Sequence, residues 1–228
     1  MATQTKGTVN DVLQIISDLR GETSVNTNAD RIRAVSRANR DFALRSFWKT
    51  HLITDQTITA SGTSTETIGS TSYPMRSKGL MELFVGGTTN EDRYDVIDYI
   101  NFKRMVNAGS SEQFCYEWYD KANDAWKVTI NPTPDSGDTI YYSYYWEPAT
   151  LTATTDAVIC PNLRAIALLA LGDIYLGEDE TQKALLVKQE AEQIISELEG
   201  LEEAPAENQS YAMGAIENIS KMRGFGTY

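Results

Sequence analysis

Histidine is almost missing from this 228-residue chain, and cysteine nearly so: there is one His and there are two Cys. His51 has no second imidazole with which to complete a ligand set, and Cys115 and Cys160 stand far apart, so metal sites built from His and Cys are effectively excluded. Nucleophile–histidine chemistry fares no better, because a single His at the end of a predicted helix has no fixed partner. It reads as a capping or surface residue. The phosphate pattern G-x-x-x-x-G-K-[ST], a G-x-G-x-x-G after a strand and the elbow G-x-S-x-G are all absent. The acidic cluster "GEDET" from Gly177 lacks calcium-loop spacing. Glu91 and Asp92 read as solvated loop carboxylates. No catalytic, cofactor or metal site is expected, and the chain is not expected to be an enzyme.

Long apolar runs are missing too. The longest, "AIALLAL" from Ala165 to Leu171, is far too short to span a bilayer. The opening "MATQTKGTVNDV" has no charged stretch followed by an apolar one, so no secretory leader is expected. Without one, the cysteines read as reduced and structural, and the sequons at Asn208 and Asn218 carry no weight. Positive charge is also scarce. Twenty Lys and Arg face 32 Asp and Glu, a formal net charge of −12 with a pI near 4.6. A field of that sign repels nucleic-acid phosphates and anionic lipid headgroups. Any DNA contact is therefore local, or one in which DNA is meant not to stick.

What is present is ordinary globular composition, 41% hydrophobic and 23% charged, in a chain long enough to bury a core. "TVNDVLQIISDLRGE" predicts a first helix: Thr8 and Asp11 have capping-box spacing, Val9, Val12, Leu13, Ile16 and Leu19 share a stripe, and Gly21 is placed to end it. A second helix is expected from about Ala29 to Thr50. After Leu52 the composition turns to Thr, Ser and Gly, and "LMELFVGG", "FCYEWY", "WKVTINP" and "TIYYSYYWE" read as strands. "NEDRYDVIDYINFKRMVNAG" interrupts them as a short helix or irregular crossing segment. Helix returns in "CPNLRAIALLALGDIYLGEDE", with Pro161 suited to the first helical position, and again in "ETQKALLVKQEAEQIISELEG". The fold expected is α+β. Residues 1–53 and 152–200 would supply a four-helix bundle, residues 54–151 an inserted antiparallel β-sandwich-like module, and residues 201–228 an extended arm.

Three stretches invite a functional reading. In the aromatic strand, Ile140, Tyr142, Tyr144 and Trp146 point one way and Tyr141, Ser143 and Tyr145 the other. One face can bury itself in the β-module while the other packs on the helices or a neighbouring subunit. The alternative is a carbohydrate- or receptor-binding platform using Tyr141, Tyr145, Trp118 or Trp126, although such a module has no need of flanking helices. The second helix is basic, with Arg31, Arg33, Arg37, Arg40, Arg45 and Lys49 against only Asp30 and Asp41. Arg33, Arg37 and Arg40 share a face, open to three readings: a solvated face paired with acids of the last helices, an intersubunit contact, or nucleic acid. In the last stretch, the linker-like "EEAPAENQ" precedes Tyr211, Met213, Ile216, Ile219, Met222, Phe225 and Tyr228, apolar anchors suited to ordering on a partner.

The chain resembles the head-to-tail adaptor proteins of tailed bacteriophages, including the tail tubular protein A type. "TVNDVLQIISDLRGE" with "ADRIRAVSRANRDFALRSFW", "NPTPDSGDTIYYSYYWEPATL" and "LRAIALLALGDIYLGEDETQKALLVKQEAEQIISEL" carry the likeness, roughly half the chain. The resemblance implies a ring, usually of twelve copies, docked beneath the portal protein in the neck of the virion and made in the host cytoplasm. It also implies a path for DNA without sequence-specific binding, and a platform for a downstream tail or nozzle protein. It implies that the C-terminal anchors, from Tyr211 to Tyr228, reach the portal. No catalytic residue and no membrane contact come with it.

Overall fold

The computed structural model describes residues 6–70 and 73–201. A short strand, β1 (Lys6–Thr8), runs into α1 (Val9–Arg20). The expected capping box is present: the Asp11 backbone N–H donates to the Thr8 hydroxyl (3.3 Å), and the Asp11 carboxylate accepts from the Thr8 N–H (2.7 Å). Val9, Val12, Leu13 and Ile16 are buried, and Gly21 ends the helix at φ 68°, a left-handed conformation that suits a residue without Cβ. Leu19, expected on the buried stripe, is exposed.

α2 (Ala29–Arg45) is capped by the Asn28 side chain and stops one turn short of the expected Thr50. Two side chains take the carbonyls of its last turn. The Trp48 indole N–H donates to the Phe42 carbonyl (2.7 Å), and its ring stacks on Phe42 at 4.5 Å. The Arg76 guanidinium, from a distant strand, donates to the carbonyls of Ala43 (3.0 Å), Leu44 (3.3 Å) and Ser46 (2.8 Å). A single 3₁₀ turn, Lys49–His51, follows.

The remaining two helices of this layer are α3′s successors in the chain, α4 (Leu163–Gly177) and α5 (Thr181–Leu201), with α3 (Tyr99–Asn107) lying apart on the sheet. Asn162 caps α4, so Pro161, expected at the first helical position, lies just outside it. The expected four-helix bundle is not what forms. A bundle needs four amphipathic helices, each turning one stripe inward. Instead α4 is buried continuously from Ala165 to Gly172 and has no outward face through that stretch, as a helix apolar all round requires. It acts as an axle on which α1, α2 and α5 each pack. A two-stranded sheet closes one end of this layer: β1 pairs with β9 (Ala157–Ile159), Gly7 opposite Val158. A side chain at Gly7 would strike Leu163.

The β-region departs from an antiparallel sandwich as well. Seven strands form one mixed sheet: β2 (Leu52–Thr59), β3 (Thr65–Ile68), β4 (Met75–Val85), β5 (Arg93–Val96), β6 (Phe114–Asp120), β7 (Ala125–Asn131) and β8 (Thr139–Trp146). Their order is β2-β8-β4-β5-β6-β7-β3. The sheet curls at β5. Arg93 and Tyr94 pair antiparallel with β4, whereas Asp95 and Val96 pair parallel with β6. A parallel pair needs a crossover, and α3, within the segment expected to be a helix or crossing, supplies it. The curl brings Leu83, Ile140, Tyr142 and Tyr144 together with Ile68, Cys115, Val128 and Ile130 in a second core. Two polar links span it: the Tyr142 hydroxyl accepts the Gly69 N–H (3.2 Å), and the Glu117 carboxylate accepts the N–H groups of Gly79 (3.1 Å) and Leu80 (2.7 Å).

Candidate assembly surfaces

The two cores meet at the end of α2, where the most unusual buried chemistry lies. Arg76 is buried yet charged. Its guanidinium completes the C-terminal carbonyls of α2, where the helix dipole favours a cation, and lies 4.4 Å over the Phe47 ring. Burial lowers its pKa from the ordinary arginine value, and Glu147 opposes the drop.

Beside it sits His51, buried rather than at the surface where its helix-end position placed it. Its ring is 4.9 Å from that of Trp146, and Nδ1 lies 3.1 Å from the Thr50 hydroxyl. Nε2 has no hydrogen-bond partner among the described residues. Burial, helped by the charge of Arg76, pushes its pKa down to about 4, so the ring is neutral at pH 7. A buried neutral imidazole, with only the adjacent Thr50 hydroxyl in hydrogen-bond reach among the described residues, reads as a packing residue.

The aromatic strand is absorbed by the same junction. β8 lies between β2 and β4, so both its edges are bonded. Tyr142 and Tyr144 enter the curl, and Tyr145 turns the other way to meet Phe47 edge-on at 4.9 Å. Of the side chains considered for a sugar platform, Tyr145 is buried, and Tyr141, Trp118 and Trp126 are half-buried on three strands. The Trp118 indole N–H donates to the Thr129 hydroxyl (3.1 Å).

The arginines of α2 are largely committed within the chain. Arg31 is buried against Glu22, whose carboxyl it holds down to about 2. Arg33 pairs with Asp30 one turn away, Arg45 with Glu192 of α5, and Arg40 with Glu147 at 2.5 Å. That last pair lines a cleft of about 220 Å³ between α2 and the segment after β8. Arg37 is exposed and forms no ion pair among the described residues. Of the three arginines expected at a subunit contact, it is the one with its charge unspent.

Burial raises the pKa of both thiols, Cys160 to about 12 and Cys115 further. They sit in separate cores as inert thiols. Among the described residues no group of three or more His, Cys, Asp and Glu could hold a metal ion, and no helix is long and apolar enough to cross a membrane. Tyr211, Met213, Ile216, Ile219, Met222, Phe225 and Tyr228 lie outside the described residues. The surface that sequence reasoning passed over is α3. Tyr99, Ile100 and Val106 are exposed there, although their spacing along a short helix was visible.

Comparison with protein families gives one result. The model of a family described as SU10 adaptor protein matches residues 8–214, nearly the whole chain. No curated protein matches it.

Proposed function

This chain belongs to the SU10 adaptor protein family of phage head–tail adaptors, and from that premise we propose that it closes into a ring, of twelve copies by resemblance, beneath the portal protein. It is a structural component of the virion that works among other head and tail proteins. In our reading the ring continues the DNA channel and offers its far side to the next tail or nozzle protein. The observation that carries this is the family match over residues 8–214. The net charge of −12 supports it, because a wall that repels phosphates lets DNA slide without gripping it. Residues 54–151 would act as the module between neighbouring copies or tail proteins, and the helices as the frame. Arg33, Arg37 and Arg40 would lie at a subunit contact, with Arg37 free to meet a neighbour's carboxylate. The segment 201–228 would grip the portal through Tyr211, Met213, Ile216, Ile219, Met222, Phe225 and Tyr228.

Electron microscopy of the protein mixed with portal protein tests the reading directly. Rings seated on portal particles are expected. Deleting Gln209 to Tyr228 should leave the melting transition in place and remove most portal binding in a pull-down. Portal particles that stay bare with the full chain would overturn the proposal.

A further inference from the structure

We infer that α3 of one copy docks on the first turns of α5 of the next; this rests on the ring reading above. α3 lies outside the curl and packs on β6 through Phe102, whose ring meets Phe114 at 5.2 Å and Tyr116 at 4.6 Å. Its other face is bare: Ile100 is 75% exposed, while Tyr99, 53% exposed, still rests its ring edge-on against Tyr116 at 5.4 Å. One turn on stand Lys103 and Arg104, both exposed, and neither forms an ion pair among the described residues. Lys103 leans toward the Tyr99 ring at 5.8 Å. Unspent cations beside bare apolar side chains, on a chain of net charge −12, call for a partner that is apolar and acidic.

The same chain carries such a surface. α5 buries Ala184, Ala191 and Ile195, yet Leu185 is 59% and Leu186 65% exposed. One turn beyond them stands Glu190. The spacing corresponds. On α3 the step from Ile100 to Arg104 is one helical turn, and on α5 the step from Leu186 to Glu190 is the same. With the two helices side by side and parallel, apolar meets apolar and cation meets carboxylate. Glu190 now pairs with Arg164 at 2.7 Å, both half-exposed. A surface pair of that kind contributes little, so the carboxylate can be shared. Within one chain α3 packs on β6 and α5 on α4. The two surfaces are different, so joining them between copies makes a heterologous contact, the kind that closes rings rather than stopping at a dimer.

Paired cysteines test this. Cys115 and Cys160 are buried and do not compete, so a variant carrying Ile100→Cys with Leu185→Cys is oxidised, alone and with portal protein, and run on a non-reducing gel. A ladder of covalent oligomers is expected from the double variant and none from either single one. Equal crosslinking in a single variant would overturn the inference, as would rings visible by electron microscopy without a ladder. If no ring forms under either condition, the ring reading itself falls and takes this one with it. A charge swap gives an independent arm. Lys103→Glu with Arg104→Glu should lower the ring fraction roughly tenfold, and adding Glu190→Lys should restore it. Rings that ignore the reversal would show that α3 serves another partner, such as the next tail protein, and the inference would be lost.

Discussion

α1 and α2 end in opposite ways. α1 stops on its own glycine, and the Gly21 N–H bonds back to Asp18 three residues away. α2 stops because Trp48 and Arg76 occupy its last carbonyls, and Arg76 belongs to β4. The first ending is local and inexpensive to alter. The second is shared, so the terminus of a helix in one core is part of the sheet in the other.

The difference can be broken most sharply at Trp48. Its side chain is fully buried, and Trp48→Ala should cost roughly 3–5 kcal/mol in urea unfolding, the range for a deleted buried aromatic. Arg76→Met keeps the stem but removes the donors, leaving three carbonyls unmet; a loss of roughly 3 kcal/mol is expected. Hydrogen exchange should quicken at the end of α2 and along β4 together in this variant. Acceleration confined to β4 would show that the clasp does not join the cores.

Acid probes the same junction. The folded-state pKa of His51 is lowered to about 4 from an ordinary 6.5, so its contribution is fully present above pH 6.5 and fades as pH falls through that window. Protonation should remove roughly 2–3 kcal/mol between pH 7.5 and 4.5. Arg76 is the charged group that opposes the proton. The readout is the difference between wild type and His51→Gln, since carboxylates elsewhere titrate in both. Identical slopes would mean that the buried imidazole is not the sensor.

The smallest effect belongs to α1. Gly21→Ala meets no neighbouring atom, so only the left-handed backbone resists it, at about 1 kcal/mol. Exchange should change near residue 21 and nowhere in the sheet.

These endings also mark what could be read in advance. The start signal of α1, Thr8 with Asp11, and its stop, Gly21 with Asp18, each span only a few residues, as do the inward positions Ile140, Tyr142 and Tyr144 on β8, because capping and alternation are short-range signals. The early stop of α2 depends on a residue thirty positions away, and the pairing of β1 with β9 joins three-residue strands at 6–8 and 157–159. Neither leaves a local trace. The axle was legible but misread: "AIALLAL" was set aside as too short for a membrane span and its helix assigned to a four-helix bundle, whereas an apolar surface all round a helix signals neighbours on every side. The mixed sheet had a clue too, since a helix between two strand patterns permits a parallel pair. Of the candidate contact residues, the arginine stripe followed from helical spacing, but Glu147, the partner of Arg40, comes from a remote segment, as does Glu192, the partner of Arg45. The bare face of α3 needed burial to be seen.

In mechanical terms the curled sheet is two leaves held by one rivet. Two residues of β5 bond one leaf and the next two bond the other. A load that parts the leaves falls on those four residues and on the covalent connections between the leaves, such as residues 60–64 from β2 to β3. The Glu117 link to Gly79 and Leu80, with the packed side chains between the leaves, provides the bypass. In a part that joins a head to a tail, that strand is the hydrogen-bonded seam about which the two leaves would turn.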